Sequence, residues 1–420
     1  MGKGNSLIKV RLFDYLLCVF FVVNALRNIC LIIALSTIAT VLFYVLYTLF
    51  FVMIQLSLLV TCKNNKCIRG SFIVSFLLLT LLVLVPTIYG FSGWLSKSYL
   101  PISFLLTIAF FITSKSIVVS EATMRFCYKV QVGQAMVTLI CSLFPSSFIN
   151  GVLELKIGNS NQTAIMLWAN FAFIFLYWIK NKYNKKQSFI LLCTMVGLIF
   201  LICLTKSRTG LLSLAVCGFG YLFMKLPKGK KAFPRMVQVI LLCAPVWIPI
   251  FVMLLMTVLP VDIVVWNKPL FSGREHIWKN IFEEMIKNPF ICHLDSSPYY
   301  SKISVNNVET WKAWGCHNGF LSVLWNYGFC VSILVIVALS NCIKTIKGKI
   351  NNNFTVKMIY LIVMASIVSL SFEDALLTGN ICTTYLIPVL LIFGRSEEVN
   401  SGCIISFEQE IVNGKVKSKS

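Results

Sequence analysis

The chain has 420 residues, 58% of them hydrophobic and only 12% charged, with a mean hydropathy of +0.84. An ordinary globular domain is about half apolar and about a quarter charged, so this composition excludes a water-soluble fold. The formal net charge of +22 would suggest a nucleic-acid partner in a soluble protein. Here the charges fall between long apolar runs, where the positive-inside rule accounts for them, and no nucleic-acid role is expected.

Apolar runs of roughly 18 residues or more read as membrane-spanning helices, because a bilayer core about 30 Å thick needs about 20 residues at 1.5 Å each. The sequence predicts an all-α polytopic integral membrane protein with about twelve spans. They fall at 12–33, 37–61, 71–91, 99–114, 130–146, 162–179, 188–204, 209–225, 237–259, 318–342, 358–372 and 380–394. Lys and Arg alternate in density from one side to the other. The basic side holds Lys3, Lys9 and Arg11, then the groups at 63–69, 115–129, 180–186, 225–235 and 344–357, and the tail at 395–420. Both termini are therefore expected in the cytoplasm, and the whole chain, 1–420, is read as a single domain of the cytoplasmic (inner) membrane.

Most of the 16 cysteines lie within apolar segments, as Cys18, Cys141, Cys193, Cys217, Cys243 and Cys382 do. There they act as small hydrophobes. CxxC-type spacing is absent, so neither a metal site nor another cofactor is expected. Cys292 and Cys316 face outward in this topology, where an oxidising compartment would allow a disulfide between them. The range 12–33 is too long for a cleavable signal peptide and lacks a small-residue cleavage site.

One outer segment, 260–317, is far longer than the others. It holds all three histidines (His276, His293, His317) and, counting Trp325 just beyond, five of the nine tryptophans. A run from Glu275 to Lys287 has helical character. Its apolar face of Ile277, Trp278, Ile281, Phe282 and Met285 is expected to lie on the membrane surface. Loops of this length and composition usually carry function. No internal repeat is evident, so an inverted-repeat transporter is not supported.

Three basic residues open or precede predicted helices at the outer face. They are Arg208 in Ser207-Arg208-Thr209-Gly210, Arg274 in Ser272-Gly273-Arg274, and His317 in His317-Asn318-Gly319. A charge near membrane depth is costly unless paired or hydrated, which makes such residues functional candidates. Guanidinium groups at helix N-termini suit phosphate oxygens, although an arginine snorkelling to the interface is the plain alternative for each alone. Glu373 and Asp374, in a short outer loop before the last span, are a second acid/base candidate pair, or else simply solvated or ion-paired.

Taken in order, these motifs resemble the O-antigen ligase and polymerase family of bacterial surface polysaccharide assembly. The resemblance covers mainly residues 150–340. It rests on Gly158-Asn159-Ser160-Asn161, the Ser-Arg-Thr-Gly at 207–210, the Ser-Gly-Arg at 272–274, Ile286-Lys287-Asn288-Pro289-Phe290, and His317-Asn318 after one long outer loop. The family pattern usually continues beyond Asn-Pro with Gly-x-Gly. This chain departs from it, reading Phe290-Ile291-Cys292-His293.

The resemblance implies a metal-independent glycosyltransferase that takes its glycan from a lipid pyrophosphate on the outer face. Arg208 and Arg274 would then hold the donor pyrophosphate, and His317 would orient or deprotonate the acceptor hydroxyl. Glu373 is a further catalytic candidate, and Asn159, Asn161, Ser207 and Asn318 are secondary ones. The leading expectation is a polysaccharide polymerase of capsule or exopolysaccharide biosynthesis, joining undecaprenyl-pyrophosphate-linked oligosaccharide units within membrane lipid. A flippase and a chain-length regulator would be its partners. A ligase transferring finished glycan to lipid A core or protein is the nearest alternative. Residue usage rich in Lys, Asn, Ile and Cys favours a host without lipopolysaccharide, and so the polymerase. A lipid-linked oligosaccharide flippase should carry basic residues inside several helices, whereas only Arg27 lies clearly within one.

Overall fold

The structure is a computed structural model that describes residues 2–64, 108–109, 113–114, 117–149, 151–155, 159–181, 184–225, 235–258, 264–265, 268–269, 274–290, 293, 297–305, 308–347, 354–373, 385–397 and 399. Helices dominate. In chain order they are α1 (Gly2–Ile32), α2 (Ser36–Asn64), α3 (Glu121–Cys141), α4 (Ser160–Lys180), α5 (Lys185–Leu204), α6 (Arg208–Lys225), α7 (Arg235–Leu242), α8 (Ala244–Val258), α9 (Arg274–Lys287), α10 (Gly319–Lys347), α11 (Phe354–Ser369) and α12 (386–397). Among the described residues, five stretches are long and apolar enough to cross a bilayer: Arg11–Ile32, Ser36–Ile54, Ser160–Lys180, Lys185–Leu204 and Gly319–Val337. Two shorter apolar helices, Ala244–Leu255 and Phe354–Ser369, lie among them. The protein is a multi-pass membrane protein.

Several expected boundaries move. The span expected at 130–146 is a helix beginning at Glu121, because Ser120 caps it by accepting from the Thr123 amide. The span expected at 237–259 is broken at Cys243 into α7 and α8, with Pro245 in the first turn of α8. The expected span 71–91 and most of 99–114 lie outside the described residues.

The core is organised around α11, whose residues Met358 to Ser369 are all buried. On it pack α4, through Trp168 Nε1 donating to Ser366 Oγ at 3.0 Å, and α6, through Ser213 Oγ donating to the Ala365 carbonyl at 3.4 Å. Gly220 of α6 allows this approach, since a Cβ there would lie 2.3 Å from Leu361 Cδ1. An aromatic layer of Phe21, Tyr128, Phe173, Tyr385 and Phe393 joins α1, α3, α4 and α12, with centroids 5.3 to 6.5 Å apart.

The two ends of α4 mark two poles about 30 Å apart, the thickness of a bilayer core. At one pole Lys180 pairs with Glu397, Arg125 pairs with Glu121 at 2.7 Å, and the Val119 amide donates to Ser396. The candidate residues gather at the other.

The long segment corrects one expectation. The apolar face of α9 is not laid on a lipid surface. Ile277, Trp278, Ile281 and Met285 pack on Leu321, Leu324 and Trp325 of α10 and on Val252 of α8. A ready-made apolar helix face removes them from water, and full burial of such side chains is worth about 1.5–3 kcal/mol each. The segment expected as an outer loop also forms a hairpin. Strands Tyr299–Val305 and Val308–Trp314 pair antiparallel, with Tyr299 opposite Trp314 and Val305 opposite Val308.

Candidate functional site

Thr205 caps the end of α5, and the chain reverses through Lys206, whose φ is +51°. Ser207 then starts α6: its carbonyl accepts from the Leu211 amide, and its hydroxyl donates to Asn161 Oδ1 at 2.9 Å. That bond ties the head of α6 to the head of α4. Gly210 completes the contact, because a Cβ there would lie 2.8 Å from Ile202 Cγ2 and 3.0 Å from Ala164 Cβ. Ser207, Thr209 and Gly210 are buried, while Arg208 stays half-buried at the helix N-terminus. So the Ser-Arg-Thr-Gly string is a docking device with one cation left facing the site.

Arg274 occupies the same place on α9 and is 8% exposed. Its guanidinium carbon lies 5.7 Å from the centroid of the Phe372 ring. Burial pulls its pKa down. Glu373 pushes it back up, Arg208 lowers it further, and Glu275 raises it. Arginine stays protonated in proteins, and the electrostatic neighbours of Arg274 are thus a second guanidinium and two acidic side chains, of which Glu373 is 6% exposed.

His317 enters from α10. Its φ of +49° turns the chain into the helix. Asn318 follows, fully buried, and is spent on structure: its Nδ2 donates to the carbonyls of Pro245 (2.9 Å) and Ser371 (3.1 Å), and its Oδ1 accepts from the Leu321 amide (2.9 Å). The Gly319 amide donates to Leu370 O at 2.8 Å, and a Cβ on Gly319 would lie 2.8 Å from Leu370 Cδ2. These bonds clamp the head of α10 to the turn that carries Phe372 and Glu373. One residue before His317, the Cys316 carbonyl accepts from Trp278 Nε1 at 3.0 Å, which fixes α9 one turn beyond Arg274.

The structure thus brings Arg208, Arg274 and Glu373 within electrostatic range, with Ser207 and Asn161 bracing Arg208 and Asn318 seating the turn beside His317. Asn159 stands apart. It is exposed and caps α4, its Oδ1 accepting from the Gln162 amide at 2.9 Å. Gly158, Ser272, Gly273, Asp374 and Cys292 lie outside the described residues, so the pairing of Cys292 with Cys316 stays an expectation. Glu275, Phe372 and Trp278 also belong to the site, beyond the residues that the sequence motifs point to. For Glu275 a signal existed, an acidic residue in the first turn of the helix that Arg274 opens. Among the described residues no cluster of His, Cys, Asp or Glu is suited to a metal ion.

Guanidinium groups at helix N-termini are chemically suited to an anion bearing several oxygens. No curated protein sequence matches the chain. Residues 193–336, about a third of the chain and the part that carries Arg208, Arg274 and His317, match the family model Wzy_C, O-antigen ligase, the family whose motifs the sequence resembles.

Proposed function

We propose that the protein is a polysaccharide polymerase, a metal-independent glycosyltransferase that joins lipid-pyrophosphate-linked repeat units at the outer face of the cytoplasmic membrane. Arg208 and Arg274 hold the pyrophosphate of the donor. The acceptor hydroxyl attacks the anomeric carbon as the bond from that carbon to the phosphate oxygen breaks, and the lipid pyrophosphate departs with the bonding pair. His317 orients the hydroxyl and takes its proton, and Glu373 keeps Arg274 aligned and limits the repulsion between the two arginines. Preorganised cations act best where charge develops, here on the leaving group.

The observation that carries this reading is the convergence of two arginines from separate helix N-termini, one of them nearly buried, at the pole that also holds His317. Like charges are costly to hold together in a partly desolvated place; Glu373 and Glu275 offset part of that cost, and the pyrophosphate of a donor would add a further attraction to both guanidinium groups. The family match supports glycan transfer and favours, as a second reading, a ligase that delivers finished glycan to a lipid or protein acceptor.

Purified protein in lipid nanodiscs, given undecaprenyl-pyrophosphate-linked repeat units and a chelator, tests both readings. A ladder of polymer lengths is expected, and it should vanish with His317→Ala. Transfer only to an added lipid core or protein acceptor would replace the polymerase with the ligase. Loss of all transfer with chelator, restored by a divalent cation, would overturn the metal-independent mechanism.

A further inference from the structure

Helix α10 is broken at Gly328, whose φ of +76° and ψ of 179° lie outside helical values. In an unbroken helix the Phe329 amide would donate to the Trp325 carbonyl, four residues back. Here both halves of that lost bond are taken by the chain that follows α9. Phe329 N donates to Pro289 O at 3.2 Å, and His293 N donates to Trp325 O at 3.0 Å. The His293 ring also stacks on Trp325, centroids 4.2 Å apart and planes within 19°. Asn288 prepares the exit from α9, its amide bonding Glu284 O and its side chain Glu284 Oε1, both at 2.8 Å. Pro289 then stops the helix while offering its carbonyl.

Together with Trp278 bonding Cys316 O, this gives α9 two attachments to α10 about three helical turns apart. The helices run in the same direction, so Arg274 at the head of α9 and His317 at the head of α10 share one end. Apolar faces alone tolerate sliding, and a slip of one turn would carry Arg274 about 5.4 Å along α10. Backbone bonds to a fixed helix break do not tolerate it.

We propose that Gly328, Pro289 and His293 form a register pin that holds α9 on α10, making them positioning residues for Arg274 relative to His317. The functional part of this inference rests on the transfer reaction proposed above; the pin does not. Alanine at 328 disfavours the positive φ and lets the Phe329-to-Trp325 helical bond close, which expels the segment. Proline at 293 removes the amide that bonds Trp325. Phenylalanine at 293 keeps both the amide and a stacking ring.

Hydrogen exchange on the purified full chain reads the pin directly, and binding of undecaprenyl pyrophosphate together with steady-state kinetics reads its consequence. In Gly328→Ala and His293→Pro the peptides covering 288–290 and 325–329 change exchange by tenfold or more. Donor KM rises and kcat falls at least tenfold at normal protein abundance, and pyrophosphate binding weakens in parallel, while His293→Phe stays within about threefold. Should Gly328→Ala not accumulate, His293→Pro, outside the helix, makes the same test. Unchanged exchange in His293→Pro would overturn the pin. Altered exchange with wild-type pyrophosphate affinity and donor KM would overturn its positioning role. If wild-type protein transfers no glycan, the reaction proposed above is wrong, and exchange with pyrophosphate binding still decides the pin.

Discussion

Replacing Asn318 with alanine removes three hydrogen bonds at once and separates holding the site from performing its chemistry. The side chain is fully buried, donates to Pro245 O and Ser371 O, and caps α10 through the Leu321 amide. Loss of an N-cap costs about 1 kcal/mol. Each buried carbonyl left without a donor costs about 1–3 kcal/mol, so the total is about 3–5 kcal/mol even with some relaxation. That is a large share of typical domain stability, and it falls on the joint between α8, α10 and the turn bearing Glu373. The expected result is a fall in apparent Tm on the order of 5 °C or more in detergent, together with loss of most turnover. Asn318→Asp should be worse, because it keeps the acceptor for Leu321 but sets a carboxylate against two carbonyl oxygens. His317→Ala should lose turnover with Tm unchanged. An Asn318→Ala protein with wild-type Tm would refute the assignment of Asn318 to structure.

Other outcomes follow from the same geometry. Arg208→Lys and Arg274→Lys should each lose most activity at normal abundance, since Lys keeps the charge but not the planar two-pronged contact, and cellular polymer with immunoblotting checks this. Gly210→Val should be nearly inactive, because α6 must move off Ala164 and carry Arg208 with it; a turnover assay on folded protein reads the effect. Burial, opposed by Glu284, depresses the pKa of His293. The folded state therefore resists protonation, so this contribution is complete above the ordinary imidazole range near pH 6.5 and is lost as pH falls below it. Hydrogen exchange at 325–329 should rise on acidification in wild type and less so in His293→Phe. Reporter fusions after Lys186 and Lys231 should read cytoplasm, and one near Ser296 the outer side.

Much of the helical frame was legible in the sequence because the requirement is crude: twenty apolar residues flanked by charge. The heads of α6 and α9 were legible too, since Ser-Arg-Thr-Gly and Ser-Gly-Arg place an arginine where a helix starts. What escaped was contingent on partners. The face of Ile277, Trp278, Ile281 and Met285 reads the same against lipid as against α10. Gly328 reads as a tolerated glycine in an apolar run, because nothing near it tells that Pro289 and His293 supply its missing bonds. The 299–314 hairpin carried a signal, alternating residues on either side of Asn306-Asn307, that the surrounding aromatic content obscured. For Asn318 the sequence shows its place beside His317 at a helix head, which makes it a secondary candidate, but not the two carbonyls that occupy its side chain.

The most direct test of the account is native mass spectrometry of the purified protein with undecaprenyl pyrophosphate and, separately, undecaprenyl monophosphate. Wild type should retain the diphosphate in preference to the monophosphate, Arg208→Ala and Arg274→Ala should each weaken the diphosphate at least tenfold, and the double variant should lose the preference. Equal retention of both lipids by wild type, or undiminished diphosphate binding by the double variant, would contradict the claim that these two arginines hold the donor.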